Sequence, residues 1–205
     1  MSVFSPGTPG EGKGHRLPKR RARLLRLALA CIPALFAGQP APAFAIGTMT
    51  VPTELSLDDC TIVSTNDFET LRACPGYKGI PVMLRGEKQQ VAVSYGLAST
   101  TEKAAGQFLP EGYLPVGEID WRISNRDGGW KAFAAILRFT AQGTNKPDIL
   151  VVTRIAPGNT CILASVDAKA NPDAMALAEA AADKHGFDFD CSHDQPEKPG
   201  KFAAF

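Results

Sequence analysis

Apolar and polar residues alternate through the middle of the chain, a pattern typical of β-strands with one buried face. The clearest case is the segment 118–124, where Ile119, Trp121 and Ile123 point to one face and polar residues point to the other. Similar patterns predict further strands near 80–84, 90–95, 130–140, 148–155 and 160–166. Because short Gly-, Pro- and Asn-containing turns join these segments, we predict an antiparallel meander of about six strands.

The periodicity changes after residue 170. Asn171, Pro172 and Asp173 form a helix start, with Asn171 as the N-cap residue and Pro172 at the first helical position. An alanine-rich run extends to Lys184, and Gly186 is expected just beyond the helix end. We predict one helix that packs on the sheet through small side chains.

These elements predict a single α+β domain over 46–195, with the helix at its C-terminal end. The lead-in 46–66 should supply at most one edge strand, near residues 61–63. The last segment, 196–205, is polar and contains Pro and Gly, so we expect a flexible tail.

The first 45 residues have the pattern of an export signal. A basic segment at 19–23 precedes a short apolar run at 27–37, and Ala43 to Ala45 form an A-x-A cleavage site. We therefore predict a removed signal peptide over 1–45 and a periplasmic or secreted protein without a transmembrane anchor, since a span needs ~20 apolar residues. The pair Arg20-Arg21 leaves Sec and Tat export open, and Cys31 is a weaker candidate for lipid attachment.

Removal of that signal changes the charge of the protein. The predicted signal holds seven of the 22 Lys and Arg residues and one of the 21 Asp and Glu residues, so 15 basic and 20 acidic residues remain, a net charge of −5. An acidic chain without a basic stripe has no electrostatic basis for nucleic-acid binding. The same sign argues against docking on anionic lipid.

Four cysteines lie beyond the predicted cleavage site: Cys60, Cys74, Cys161 and Cys191. An even number in an oxidising compartment predicts two disulfides, for which three pairings are possible. We favour nearest-neighbour pairing, Cys60–Cys74 and Cys161–Cys191, with ~3–4 kcal/mol of stabilisation from each. The chain has no C-x-x-C motif, so we expect structural rather than redox-active bridges.

No catalytic signature is present, because the chain contains no G-x-S-x-G, S-x-x-K or H-E-x-x-H motif. We therefore predict no catalytic residue and no cofactor. Asp188, Asp190, His193 and Asp194 are weak candidates for metal ligands, but their spacing matches no known metal-binding loop. A solvated acidic segment beside a disulfide is the simpler interpretation.

The long irregular segment 97–117 is the first candidate for a recognition surface, since long loops are often functional. Its apolar residues are Phe108, Leu109, Tyr113 and Leu114. The alternative is that these side chains fold back as a flap over the sheet edge. A second candidate is the polar face of segment 118–124, with Asp120 and Arg122 near Lys131 or Arg154, although such charges usually only solvate a sheet.

Three segments carry a resemblance: 74–82 (CPGYKGIPV), 151–161 (VVTRIAPGNTC) and 165–174 (SVDAKANPDA). With them the chain resembles a group of small exported bacterial proteins of unknown function, over most of Cys60 to Asp194. The resemblance implies a compartment and domain limits, and no activity.

Together these patterns predict a non-enzymatic binding or interaction module, whose partner is an unidentified protein or envelope ligand. One alternative is a hydrolase or metal-dependent enzyme that uses Asp188, Asp190 and His193. Another is an accessory factor of the cell envelope.

Overall fold

The computed structural model describes residues 45–142 and 146–202. The predicted signal peptide, except for its last residue, lies outside the described residues. Within them the chain forms nine strands in two antiparallel sheets, and one α-helix. None of the helices in this part of the chain has the length and apolar character needed to cross a membrane.

Sheet A has five strands and sheet B has four. In spatial order sheet A contains β1 (Thr48–Glu54), β6 (Tyr113–Ser124), β7 (Lys131–Ala141), β8 (Ile149–Arg154) and β9 (Cys161–Asp167). Sheet B contains β2 (Thr61–Thr65), β3 (Glu69–Cys74), β4 (Val82–Glu87) and β5 (Gln90–Tyr95). The helix α1 (Ala174–His185) follows β9, and short 3₁₀ turns lie at Leu57–Asp59, Tyr77–Gly79 and Lys103–Gly106.

Two hydrophobic cores define three layers. The first core lies between the sheets, and its buried side chains include Val82, Leu84, Val93, Tyr95, Ile119, Trp121, Leu137 and Val151. The second lies between the opposite face of sheet A and α1, where Ala174, Ala178, Ala181 and Ala182 pack on β7, β8 and β9. Sheet A is therefore covered on both faces, which explains why β8 is a nearly continuous apolar run instead of an alternating one.

The predicted α+β class is confirmed, but the single six-stranded meander is wrong. Strands β2 to β5 form a sheet of their own, and the lead-in supplies both β1 and β2 instead of one edge strand. The strand β1 pairs with β6 in a register that sets Thr48 opposite Ser124 and Glu54 opposite Glu118. A pairing across more than 60 residues leaves no signal in the local pattern, and β1 has mixed exposure with Pro52 in its middle.

The predicted orientation of β6 is confirmed for its apolar face and wrong for part of its polar face. Ile119, Trp121 and Ile123 are fully buried between the sheets. Arg122 and Ser124 were expected to face water, yet both are buried. The reason for Arg122 is that α1 covers this side of sheet A and supplies carboxylate partners for the guanidinium.

The helix begins later than the sequence predicts. Asp173 occupies the N-cap position, and Asn171 lies before it, where its Nδ2 donates to the Asp167 and Lys201 carbonyl oxygens. Gly186 directly follows the helix, as predicted, but its φ of −59° is ordinary. Glycine is required there for space, because a Cβ atom would lie 2.5 Å from the Phe133 ring.

Part of the segment expected to be a flexible tail makes hydrogen bonds to sheet A. Ser165 N donates to Glu197 O and Glu197 N donates to Leu163 O, both at 2.9 Å, so this segment adds to the edge of β9. Lys184 Nζ lies 3.0 Å and His185 Nε2 lies 2.8 Å from Glu197 Oε1. The hydrogen bond from Lys184 is the largest cause that lowers the pKa of the Glu197 carboxyl, and the contact with His185 adds to it.

Both predicted disulfides, Cys60–Cys74 and Cys161–Cys191, are confirmed. The first joins the residues that flank the β2–β3 hairpin. The second ties the segment after α1 to the start of β9, with a Cα–Cα distance of 5.8 Å. Each bridge therefore fixes a segment at the periphery of a sheet.

Candidate functional site: a groove between the sheets

A groove of about 190 Å³ opens between the two sheets beside the β4–β5 turn. We call it the inter-sheet groove, and its lining residues are Leu57, Arg72, Leu84, Gly86, Val91, Leu114, Pro115, Val116 and Gln142. Gly86 lies opposite Thr70 on β3 and Val91 on β5, two residues beyond the buried Leu84. Because glycine adds no side chain at this inward position, the sheets are not filled here and the groove stays open.

Arg72 is the charged residue of the groove. It lies on β3 opposite Ile62 and Leu84, so its side chain starts from the inward face of sheet B. The other inward positions of β3, β4 and β5 carry no charge. Its guanidinium makes no hydrogen bond or ion pair with any described residue. Five N–H donors on a half-buried cation are therefore available to an acceptor from outside.

The rim of the groove is apolar and solvent-exposed. Leu57 is 55% exposed, Leu114 is 36% exposed and Val116 is 37% exposed. Ile62, next to Arg72 across the β2–β3 pair, is 55% exposed. A contiguous apolar surface around a single cation is a feature of interaction sites rather than of ordinary protein surface.

The four predicted loop residues do not share one surface. Leu109 and Tyr113 are buried between the sheets, and Tyr113 Oη donates to the Pro147 carbonyl oxygen at 3.0 Å. Burial, with Asp167 and Asp148 as smaller causes, raises the pKa of the Tyr113 phenol. Phe108 instead stacks on Arg85, with the guanidinium carbon 5.6 Å from the ring centroid. Only Leu114 of the four lines the inter-sheet groove.

The loop itself covers the edge of β5, as the alternative interpretation expected. Leu109 N donates to Val91 O at 3.1 Å, and Gly112 N donates to Gln89 O at 3.0 Å. A buried carboxylate absent from the sequence predictions anchors the loop at its other end. Glu102 accepts hydrogen bonds from Gly158 N at 2.6 Å and Thr160 N at 3.0 Å.

The C-terminal acidic cluster is a hydrogen-bonded turn at the surface. His193 Nδ1 lies 2.8 Å from Asp190 Oδ2, and this contact raises the pKa of the imidazole. Asp190 N donates to Asp194 Oδ2 at 2.8 Å, while Asp188 is exposed and takes no part in these bonds. Among residues 45–142 and 146–202, no three His, Cys, Asp or Glu side chains converge in a way that could hold a metal ion.

Arg122 and Arg154 belong to the second candidate surface, the polar face of 118–124 and its neighbours. Both bind α1 or the residues just after it. Arg122 forms a two-point ion pair with Asp183, at 3.0 Å from Nε and 2.5 Å from Nη2, and also donates to Thr50 Oγ1 at 2.7 Å. Arg154 donates to three carbonyl oxygens just beyond α1, those of residues 186, 187 and 189. These side chains therefore have structural partners and are not free for a ligand.

Asp120 lies in a second, acidic cleft of about 360 Å³ between sheet A and the first turn of α1. Burial raises the pKa of its carboxyl, and the nearby Glu118 and Glu179 carboxylates add to this shift against the opposing effect of Arg138. No Ser, Cys or His from the described part of the chain lines this cleft. Two carboxylates and an arginine without a nucleophile give it no evident reaction chemistry.

Replacing Asp120 by asparagine should stabilise the domain at pH 7. A carboxyl whose pKa is raised on folding favours its protonated form, so stability falls as pH rises above its unfolded value, ~3.9. The neutral amide avoids this cost and should raise Tm by a few degrees at pH 7, measured by thermal denaturation. Below about pH 3.5 the difference in Tm between Asp120→Asn and the native protein should vanish, because the carboxyl is then protonated in both the folded and the unfolded state. An equal difference at both pH values would contradict the electrostatic explanation.

Arg72 is the groove residue that the sequence analysis missed. A signal for it was present, because Cys74 forms a buried disulfide and the side chain two residues earlier on a strand points to the same face. The pattern of β3 is too short and mixed for that inference without the disulfide pairing. Leu114 was found, but as part of a different surface.

A comparison of the chain with protein-family models, curated proteins and solved structures finds no match. The resemblance to small exported bacterial proteins therefore stays a prediction. Function has to be inferred from the chain's own residues, and above all from the inter-sheet groove.

Proposed function

We propose that this protein is a non-enzymatic interaction module of the cell envelope, which binds a partner protein through the inter-sheet groove and its rim. One observation carries the proposal: an open apolar groove contains a half-buried guanidinium with no partner among the described residues. A half-buried guanidinium keeps only part of its hydration, so an acceptor from a partner would complete its hydrogen bonding. Two disulfides in the structure support the exported location.

The size of the groove favours a protein partner over a small-molecule cofactor. Pockets for drug-sized ligands and cofactors usually measure ~300–1,000 Å³, and the groove is about 190 Å³. It accommodates a single apolar side chain together with a neighbouring oxygen acceptor for Arg72. The exposed Leu57, Leu114 and Val116 then bury against the partner around that anchor, as the surroundings of an interface hot spot do.

The alternative of a hydrolase or metal-dependent enzyme rests on Asp188, Asp190 and His193. All three side chains are exposed and lie at the surface turn described above. No observation in the described residues favours a reaction there. An accessory role in the envelope is compatible with the proposed binding function, since both require a partner surface.

Titration with benzenesulfonate, followed by amide NMR shifts, tests the groove, because this probe joins a single apolar ring to an anionic group and suits a groove of about 190 Å³. The folded protein should bind it with shifts at the residues that line the groove. Arg72→Met should weaken binding about tenfold, since hydrogen bonds to charged groups are worth ~1.5–3 kcal/mol, and Leu114→Ser should also weaken it. The controls are Leu97→Ser, at a 96% exposed leucine beyond the other end of β5, and Lys169→Met. Equal binding by all four variants would refute the groove as a site.

Photo-crosslinking in intact cells tests the partner itself. A photoreactive residue at position 114 should link the exported protein to a partner, whereas the same residue at position 97 should not. Adding Arg72→Met should reduce the yield at position 114. Equal crosslinking from both positions would contradict the proposed function. So would a crosslinking yield at position 114 that Arg72→Met leaves unchanged.

A further inference from the structure

The two sheets have four edge strands, and these differ in how far their outer edges are covered. Segment 196–198 covers β9 through the Glu197 hydrogen bonds, and the loop before β6 covers β5 through Leu109 and Gly112. The edge of β1 contains Pro52, which interrupts hydrogen bonding in a strand. These are common protections against pairing with another chain. The remaining edge, β2, has no covering segment among the described residues and no proline. Its one irregularity is a bulge at Val63, where the register with β3 shifts between Ile62 and Ser64.

Within residues 45–142 and 146–202, nothing covers the outer edge of β2 (Thr61–Thr65). All five side chains are exposed, and the strand contains no charge, proline or glycine. Four of its five residues are β-branched, which suits an extended backbone. No described residue pairs with the side of β2 that faces away from β3. The Cys60–Cys74 bridge holds the strand against β3, so the open edge is fixed in position without a partner.

The surroundings of β2 are acidic at both ends. Between residues 46 and 71 the chain has no Lys or Arg. Asp58 and Asp59 precede the strand, Asp67 follows it, and all three are exposed. Glu69 is already paired with Arg85 at 2.5 Å. The edge thus presents an uncharged centre between two groups of unpaired carboxylates.

We propose that β2 binds an extended segment of the partner as an added strand, and that this segment has β-branched or apolar residues in its centre and Lys or Arg at both ends. The proposal rests on the proposed function and names the chemistry of the partner. Backbone hydrogen bonds supply the affinity of such strand addition, and side chains supply its specificity. The basic ends meet Asp58, Asp59 and Asp67.

A second copy of this chain fits the edge poorly. Antiparallel pairing of β2 with itself would set Asp58 and Asp59 of one copy beside Asp67 of the other, and parallel pairing would set like residues together. Like charges across a strand pair are destabilising. The acidic ends therefore select a basic segment over self-association.

The added strand and the groove belong to one surface. Ile62 lies opposite Arg72 across the β2–β3 pair, and Arg72 lines the groove. A residue of the added strand that pairs with Ile62 on the same face would lie at the groove rim. That residue is the source of the apolar side chain that the groove accepts.

Peptide binding followed by amide NMR shifts tests this inference on the oxidised exported protein. The probe is an amidated nine-residue peptide with two lysines at each end and five alternating Val and Thr residues. It should bind with shifts concentrated at the amides of 61–65. The matched controls are the same peptide with glutamates in place of lysines, and two versions with alternate amides N-methylated to block one edge or the other. We expect the glutamate peptide and one N-methylated version to bind at least tenfold more weakly.

The charge requirement is tested on the protein side. The triple variant Asp58→Asn, Asp59→Asn, Asp67→Asn should bind the lysine peptide about tenfold more weakly at low salt, with little difference at 1 M salt. Asp127→Asn, an exposed aspartate in the β6–β7 turn, should bind like the native protein. Equal loss in both variants would refute the assigned charges.

The outcomes separate this inference from the proposed function. If the sulfonate probe binds through Arg72 but the lysine peptide leaves 61–65 unshifted, strand addition is wrong and the groove proposal stands. If neither probe binds, both are wrong. If sedimentation shows a dimer whose amide shifts map to 61–65 and which excludes the peptide, β2 is a self-association edge and the inference is overturned.

Discussion

Replacing Arg154 by methionine should lower the free energy of unfolding by about 3 kcal/mol, because one side chain satisfies three backbone carbonyls. Its Nε donates to Gly186 O at 3.0 Å, Nη1 to Phe189 O at 2.5 Å and Nη2 to Phe187 O at 2.9 Å. The last carbonyls of a helix have no intrahelical partners, and of the three carbonyls here that of Phe189 also accepts from Asn159 Nδ2 at 3.1 Å. A cation there also interacts favourably with the negative end of the helix dipole. Methionine keeps most of the apolar volume, so the loss reports the hydrogen bonds.

Urea denaturation of matched variants measures this effect. Arg154→Lys should restore only a small part of the stability, since a single ammonium group cannot span three acceptors in the planar arrangement of a guanidinium. The control is Arg138→Met, because Arg138 is 43% exposed and its one ion pair, to Asp148, is 3.6 Å long. That control should change stability by less than about 0.5 kcal/mol. Full rescue by lysine would show that charge alone, and not hydrogen-bond geometry, matters at this position.

What the sequence could predict was set by local periodicity. The alternation of Ile119, Trp121 and Ile123 predicts a strand with one buried face, and the alanine-rich run to Lys184 predicts the helix. Both lie within a few residues of their positions in the structure. The disulfide pairing was also predictable, because each bridge closes a loop between segments close in sequence.

Features that depend on distant parts of the chain were not predictable in the same way. Arg122 has the alternation of a solvent-facing residue, but a helix more than 50 residues later covers it and supplies Asp183. The pairing of β1 with β6 likewise depends on residues that are more than 60 positions apart in the chain. Asn171 has the sequence context of a helix start, but its side-chain amide hydrogen-bonds to Lys201 and so helps to fix residues beyond 196.

The candidate site shows the same division. Leu114 was selected because it is apolar in a long irregular segment, and it does line the inter-sheet groove. Leu109 and Tyr113 satisfy the same criterion but are buried. Whether such a residue is exposed or buried depends on the position of sheet B beneath the loop. Arg72 had only a weak signal, its position two residues before a buried disulfide cysteine. Its importance comes from the absence of a partner among the described residues and from the space left by Gly86.

Replacing Cys161 and Cys191 together by alanine should lower the free energy of unfolding by ~3–4 kcal/mol, comparable to the effect expected at Arg154. This bridge closes a loop of 30 residues, compared with 14 for Cys60–Cys74, so its removal frees more of the unfolded chain. The segment it holds is also bound by Asn159, whose Oδ1 accepts from Cys191 N at 2.9 Å. Urea denaturation at neutral pH, with both proteins oxidised, gives the difference.

The Cys60–Cys74 double alanine variant is the matched control, and the two bridges should differ in function more than in stability. Loss of Cys60–Cys74 should remove binding of the lysine peptide, because β2 buries no side chain and relies on the bridge and on β3 for its position. Loss of Cys161–Cys191 should leave peptide binding intact wherever the domain is folded.

Loss of the Cys161–Cys191 bridge and Arg154→Met should not be additive, since the bridge and the arginine both hold residues 186–191. The free energy of unfolding lost in the combined variant should differ from the sum of the two separate losses by at least ~0.5 kcal/mol. Strict additivity would mean that the bridge and the arginine stabilise this segment independently.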